Sequence, residues 1–381
     1  MARPRLYVLL FVIFCGLICF WHLRLPIVQW MFNQIVFAIE DVGSIRAYID
    51  KNRSFYLTEA EARIDVAEKV RARSRKELAV YRDRAAKFIW KGSMPLERKP
   101  DDIEILQISG KLKEIDSLRR ARHLTIKMKY AAIVRPLFLE TSVKSKSCLI
   151  LYHQDHNAIY LGERGWYADF LAAGCDVIAV PLPLTLGQKS ILAQVKGRNL
   201  VVTSHDELAE LESAKFSPLT YFLEPSLVSL NLALSEKNYR KIVAVGLSGG
   251  GWVAVIAGAL DPRFTHIYPV AGTLPLYLRH PGGRNQGDWE AHGSGIYKIV
   301  NYFEFYLLGV LEQKRRAIHI YNRFDNCCYN GVLTAAFAPQ IEGIARRWKL
   351  GTLKFRIDET ANVHTISKES ISFILKDIFE H

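Results

Sequence analysis

The 381-residue sequence predicts an α/β fold, in which a mostly parallel sheet flanked by helices follows a helical N-terminal extension and a membrane anchor. From about residue 120, short apolar runs alternate with helical runs, as in parallel sheets covered on both faces. Half of the residues are hydrophobic, which is enough for a sizeable core. Arg3 and Arg5 precede an almost wholly apolar run at residues 6–23, which predicts the anchor.

The apolar run has about 18 residues, near the lower limit for crossing a bilayer. The two arginines favour a cytoplasmic N-terminus, so residues 1–25 are predicted to be a single-pass anchor. The rest of the chain would then lie on the outer side, periplasmic or extracellular/lumenal. A cleaved signal peptide has the same pattern and stays an alternative, as does a buried helix, although no convincing cleavage site follows the run.

Residues 26–120 are predicted to form a mainly helical, basic region. Thr58 and Glu61 match a capping box at the start of a helix that runs to about Trp90. Its Lys and Arg side chains would contact anionic lipid or polymer, or would simply form a solvated face. The formal net charge of +13 favours polyanionic partners in general. No nucleic acid partner is expected, because no zinc-finger, RRM-like or KH-like motif occurs.

Residues 121–381 carry the alternating elements. The expected strands lie at 123–129, 133–140, 148–152, 177–181, 200–203, 242–247, 265–270, 317–321 and 352–357. The expected helices lie at 165–173, 219–234, 250–260, 341–349 and 367–379. The long segment at about 274–313, with an aromatic helix at 297–311, is predicted to be a lid-like insertion.

The stretch G-L-S-G-G at residues 246–250 predicts a tight strand-turn-helix with Ser248 at its apex. Such a turn needs small residues two before and two after the serine, and Gly246 and Gly250 meet that need. A P-loop is disfavoured because Trp252 stands where its lysine belongs. A dinucleotide-binding turn lacks the acid about 20 residues on. A glycine-rich turn with a solvated serine remains a further alternative.

An acid and a histidine follow in the chain order that a serine nucleophile on such a turn requires. Asp325 comes just after the strand at 317–321, and His364 follows the strand at 352–357. Asp358 and Glu359 are alternative acids, but they lie close to the strand that precedes the histidine.

The loop after the strand at 148–152 is the expected place for the second oxyanion donor, predicted at Gln154, with the backbone N–H of Gly249 as its partner. The candidates for contact with substrate are His153, Asp155, Asp288, Trp289 and Glu290. Those in the insertion could equally be solvated charges on a packed loop.

The sequence H-x-D-H at 153–156 is similar to part of the metal motif of metallo-β-lactamase-like hydrolases. Leu151 stands where the first ligand histidine of that motif would be. The motif is therefore incomplete, and no metal or cofactor is predicted.

These motifs resemble those of the α/β-hydrolase superfamily of serine esterases, lipases and peptidases, over residues 121–381. The resemblance rests on G-L-S-G-G, on Asp325 in N-R-F-D, on His364 in N-V-H-T and on the His153 loop. It implies a serine hydrolase that cleaves an ester or related acyl bond of a small-molecule or acylated substrate through an acyl-enzyme. An acyltransferase or peptidase on the same triad, or a non-catalytic binding module, are the alternatives.

The sequence has six cysteines and no C-x-x-C pair. Cys327 and Cys328 lie just after the candidate acid, and we expect them to be reduced. A vicinal disulfide, or pairing with Cys148 or Cys175, are the alternatives.

Overall fold

The computed structural model describes residues 64–381 except 145, 157–165, 187, 196, 280–286, 326, 330 and 362. The anchor predicted at residues 1–25 and the capping box predicted at Thr58 and Glu61 lie outside the described residues. Within the described part, no helix combines the length and the apolar character that crossing a membrane requires.

Most of the strands belong to one large sheet. In chain order the strands are β1 (Asp102–Leu106), β2 (Leu118–Lys127), β3 (Ile133–Val134), β4 (Leu137–Thr141), β5 (Cys148–His153), β6 (Cys175–Val180), β7 (Ile191–Val195), β8 (Arg198–Val202), β9 (Lys241–Leu247), β10 (His266–Val270), β11 (Arg316–Asn322) and β12 (Thr352–Asp358). The main sheet has the order β1-β2-β4-β6-β5-β9-β10-β11-β12, with β3 paired to β2. Neighbours from β6 to β12 are parallel, whereas β1, β2 and β4 pair antiparallel. This confirms the mostly parallel sheet.

The helices cover the sheet. They are α1 (Val66–Lys69), α2 (Arg75–Trp90), α3 (Trp166–Ala172), α4 (Thr220–Glu236), α5 (Gly249–Leu260), α6 (Trp289–His292), α7 (Tyr302–Leu308), α8 (Ala338–Arg347) and α9 (Lys368–Glu380). Strands β5, β6 and β9 are buried almost throughout, and so are helices α4 and α5. The apolar sequences of these strands and of α5 reflect burial from both sides rather than an amphipathic surface position.

The region predicted to be mainly helical contributes strands to the sheet. Strand β1 pairs with β2 from Asp102 opposite Thr125 to Leu106 opposite Ala121. The D-I-E-I-L sequence alternates polar and apolar residues, which is the strand period. The sheet therefore begins before residue 121.

The basic helix predicted to reach Trp90 is interrupted. An extended segment at residues 70–73 separates α1 from α2, and Ser74 caps α2 by accepting a hydrogen bond from the N–H of Glu77 at 3.2 Å. The break has a distant cause, since the N–H of Arg71 donates to the buried carboxylate of Glu304 at 2.8 Å.

The aromatic helix of the insertion is shorter than predicted. It spans only α7, because Asn301 and Glu304 form a capping box that starts the helix at Tyr302. Of the two strands in the small β7–β8 hairpin, only the second was predicted.

The expectation that Cys327 and Cys328 are reduced is wrong, since the structure has two disulfides and one of them joins these residues. Cys148 and Cys175 face each other across β5 and β6 and are joined by a disulfide with a Cα–Cα distance of 4.5 Å. Cys327 and Cys328 are also joined. The first pair is fully buried, so it links two central strands inside the core.

We predict that reducing the Cys148–Cys175 bond lowers the free energy of unfolding by about 3 to 4 kcal/mol, the chain-entropy value for such a loop. The bridged residues are 27 positions apart. Urea unfolding of oxidised and reduced protein measures the difference. The control is the double variant Cys327→Ser/Cys328→Ser, because the bond that it removes joins adjacent residues and closes no chain loop. An equal loss in the control would contradict the prediction.

Candidate active site

Ser248 stands on a strained turn between β9 and α5. Its backbone has φ 55° and ψ −123°, a conformation that L-residues adopt rarely and at an energetic cost. The N–H of Ser248 donates to the carbonyl of Val270 at 3.1 Å, and its carbonyl accepts from the N–H of Trp252 at 2.9 Å. The predicted strand, sharp turn and helix are thus all present.

The glycines beside Ser248 are required by close backbone contacts. A Cβ on Gly246 would lie 2.3 Å from the carbonyl oxygen of Gly250, and a Cβ on Gly250 would lie 2.1 Å from that of His153. Real side chains do not tolerate such distances to backbone atoms. A further close pair is Gly251 and Gly272, since a Cβ on Gly251 would lie 2.7 Å from the Cα of Gly272. Gly272 was not singled out in the sequence, because it follows β10 rather than β9.

Asp325 and His364 are brought together at the end of the sheet. The Nδ1–H of His364 donates to Oδ2 of Asp325 at 2.7 Å. The other carboxylate oxygen of Asp325 accepts from the N–H groups of Cys327 and Cys328, at 2.7 and 2.9 Å. These bonds fix the imidazole tautomer, so that a neutral ring carries its lone pair on Nε2.

The buried carboxyl of Asp325 stays ionised. Burial alone raises the pKa of this carboxyl, but the hydrogen bond and charge of His364 and the two backbone donors outweigh burial and lower the pKa below its ordinary value. Asp325 is therefore suited to stabilise a positive imidazole.

Asn322 positions the histidine loop, a role that sequence reasoning missed. Its buried amide donates to the carbonyls of Val363 and Thr365, at 3.0 and 2.8 Å, on both sides of His364. The ring of Tyr329 stacks on His364 with a centroid distance of 6.2 Å. The only sequence signal for Asn322 was its place in N-R-F-D at the end of a strand.

The two alternative acids serve other purposes. Asp358 accepts hydrogen bonds from the hydroxyls of Thr360, Ser367 and Ser370, which secures the start of α9. Glu359 is mostly exposed and lies 3.8 Å from Arg323.

The structure does not support the prediction that Gln154 supplies an oxyanion donor, because its N–H is already engaged within the sheet. The backbone N–H of Gln154 donates to the carbonyl of Val180 in β6 at 3.0 Å, and its side-chain amide donates to Tyr167 at 2.9 Å. Strand β5 ends at His153, so the half-buried Asp155 lies in the loop that follows the strand.

Two of the predicted pocket residues belong to the core. His153 is 1% exposed, with Nδ1 at 3.2 Å from the carbonyl of Val245 and Nε2 at 2.6 Å from the hydroxyl of Ser226. Burial lowers the pKa of His153 to about 4, so the ring is neutral and anchors the end of β5. Trp289 is also buried, and its backbone N–H donates to the carboxylate of Asp206 at 2.8 Å.

The other two predicted residues of the insertion, Asp288 and Glu290, meet two histidines. Their carboxylates converge with ring nitrogens of His156 and His205, all within 4.8 Å of one another. This set could hold a metal ion, although no metal was predicted. His205 was missed, since only the fold brings residue 205 to this place.

The described part of the basic helix lines a groove. The charged residues that line the groove are Arg71, Arg84, Lys87, Lys91 and Lys298, and the rings of Tyr81 and Phe88 line it as well. Arg71 and Lys91 pair with Glu304 and Glu212, at 2.7 and 2.9 Å. The groove is therefore partly neutralised within the protein.

We predict that Gly250→Ala lowers the free energy of unfolding by at least about 2 kcal/mol, because its Cβ would overlap the backbone of His153. The control is Gly343→Ala in α8, where the nearest atom to a Cβ is a flexible guanidinium nitrogen of Arg346 at 3.9 Å. That change should stabilise by about 0.5 to 1 kcal/mol. Urea unfolding measures both, and an unchanged stability in Gly250→Ala would contradict this close packing.

No protein-family profile and no curated protein sequence matches the chain. Solved structures do. Acetyl xylan esterase 1 from Thermoanaerobacterium is 14% identical, covers 80% of this chain and 93% of its own, and has a TM-score of 0.51. A methylesterase is 15% identical, covers 86% and 70%, and has a TM-score of 0.59. A glucuronoyl esterase from Teredinibacter turnerae is 10% identical, covers 86% and 91%, and has a TM-score of 0.54.

The structural likeness agrees with the strand order and with the turn at Ser248. The N-terminal strands are antiparallel and the rest are parallel, and the sharp turn follows the central strand β9. The chain has the α/β-hydrolase fold.

Proposed function

We propose that the protein is a serine ester hydrolase in which Ser248 is the nucleophile, His364 the general base and Asp325 the residue that orients the base. The observation that carries the proposal is the 2.7 Å hydrogen bond between His364 and Asp325. Ser248, Asp325 and His364 follow β9, β11 and β12, which belong to one parallel run. All three therefore lie beyond the same edge of the sheet.

In this mechanism the Ser248 hydroxyl attacks the ester carbonyl while Nε2 of His364 takes its proton. The imidazolium is stabilised by Asp325 and returns the proton to the departing alcohol. The N–H groups of Gly249 and Asp155 would hold the oxyanion, and each would lower the activation barrier by about 3 kcal/mol. Water, activated by His364, then releases the acid from Ser248. An acceptor alcohol in place of water would give the acyltransferase variant, and an amide in place of the ester would give the peptidase variant.

The names of the similar structures support small esters as first substrates. They are esterases of acetyl xylan, of methyl esters and of glucuronoyl groups. We propose that this chain likewise cleaves an ester with a small acyl or alcohol group, carried by a larger molecule.

We retain two proposals for the N-terminal part. Residues 1–25 would anchor the protein with its hydrolase domain on the outer side, and the buried Cys148–Cys175 disulfide supports an oxidising compartment. Alkaline extraction of membranes tests the anchor. Release of the full chain into the soluble fraction would contradict it.

The groove along α2 would contact anionic lipid or polymer. Loss of this binding in Arg84→Ala/Lys87→Ala would support the contact, and unchanged binding would refute it.

We predict that Ser248→Ala and Asp325→Asn each lower kcat for p-nitrophenyl acetate by about 10⁴-fold, since the first change removes the nucleophile and the second removes the carboxylate that orients the imidazole and stabilises its positive form. The control is Glu359→Gln, an exposed acid close to the same histidine in sequence, which should keep kcat within about twofold. Steady-state kinetics measure all three. Equal rates in Asp325→Asn and the wild type would contradict the assignment of the acid.

A further inference from the structure

We propose that His156, His205, Asp288 and Glu290 form a binding site for one divalent transition-metal ion, with zinc as the first candidate. We call these residues the four-ligand cluster. They lie outside the Ser248, Asp325 and His364 set, and the proposal does not rest on the hydrolase activity.

The distances within the four-ligand cluster fit a tetrahedral ion. Zinc lies about 2.0 to 2.2 Å from nitrogen and oxygen ligands, so tetrahedral ligand atoms are about 3.3 Å apart. Nε2 of His156 is 3.1 Å from Nδ1 of His205 and 2.8 Å from Oδ2 of Asp288. Nδ1 of His205 is 3.1 Å from Oε1 of Glu290 and 3.5 Å from Oδ2 of Asp288. The fifth distance, from His156 to Glu290, is 3.9 Å.

The hydrogen bonding of His205 engages Nε2 and leaves Nδ1, the nitrogen that faces the other ligands, available to a metal. Its Nε2 lies 2.9 Å from the carbonyl oxygen of Pro183, which can only accept, so Nε2 carries the proton. In the neutral ring, Nδ1 then points a lone pair at the carboxylate oxygen Oε1 of Glu290, 3.1 Å away. A cation between these atoms removes that conflict. Metal-bound histidines characteristically donate their second N–H to a carbonyl in this way.

Burial makes a cation more favourable still. His205 and Glu290 are 6% and 3% exposed. Oε2 of Glu290 has no hydrogen-bond partner among the described residues, although it is buried. An ionised buried carboxylate without compensation is costly. The side chains of His156 and Asp288 are 37% and 42% exposed, so the four-ligand cluster opens to solvent on one side.

The four-ligand cluster joins three separate segments. His156 belongs to the loop after β5 and His205 follows β8, whereas Asp288 is the N-cap residue of α6 in the insertion and Glu290 lies within that helix. The ring of His156 also abuts the turn at Ser248, since a Cβ on Gly249 would lie 2.6 Å from Cε1 of His156. Four protein ligands leave no open position, as in structural zinc sites. The ion would therefore fix the loop after β5 against the insertion.

The test is zinc binding by the purified full chain. The protein is treated with chelator, titrated with zinc chloride by calorimetry, and analysed for bound metal after desalting. We expect one zinc per chain, and weak or no binding of magnesium and calcium, because imidazole ligands favour zinc. Cobalt(II) should give the strong visible absorption of a tetrahedral site.

Variants assign the binding to the four-ligand cluster. His205→Ala should abolish stoichiometric zinc. Asp288→Asn, a change at a partly exposed side chain that should leave the fold intact, should weaken zinc at least about 10-fold. The control is His292→Ala on the same short helix α6, which should bind as the wild type does.

Two outcomes would overturn the proposal. One is the absence of stoichiometric zinc in the folded wild type, which would mean that shared protons hold the four-ligand cluster together. The other is wild-type affinity in folded Asp288→Asn. Both readouts are independent of catalysis, so failure of the metal site and failure of the proposed hydrolase activity remain distinguishable.

Discussion

Backbone-to-backbone contact around Ser248 is the constraint on which the candidate site depends. The turn after β9 packs so closely against β5 that a side chain at Gly250 would overlap the carbonyl of His153. The same closeness holds Ser248 in its strained conformation at the edge of the sheet. Because strands β9 to β12 are parallel, this edge also receives the loops that follow β11 and β12.

Those two loops are fixed by buried polar side chains rather than by apolar packing alone. Asn322, at the end of β11, holds the backbone on both sides of His364. Asp358, at the end of β12, secures the start of α9 just beyond the same loop. Asp325 is held in turn by two backbone N–H groups. The pair of Asp325 and His364 is thus positioned before any substrate binds, as electrostatic catalysis requires.

The central sheet and the order of Ser248, Asp325 and His364 could be predicted because apolar runs and short motifs are local signals. The break before α2 could not be, since it depends on Glu304, more than 200 residues away. The engagement of the Gln154 N–H depends on which neighbouring strand it faces, and the apolar pattern does not reveal this. The meeting of His156 and His205 with the insertion is likewise a product of the whole fold.

Covalent labelling of the folded protein with a fluorophosphonate, followed by peptide mass analysis, is the decisive experiment on the proposed triad. We expect a single adduct on Ser248 that is lost in His364→Ala, because only an activated serine reacts readily. Labelling should persist in Ser235→Ala, a change at the end of α4. A folded protein that gives no adduct, or one that is labelled equally without His364, would contradict the proposed triad.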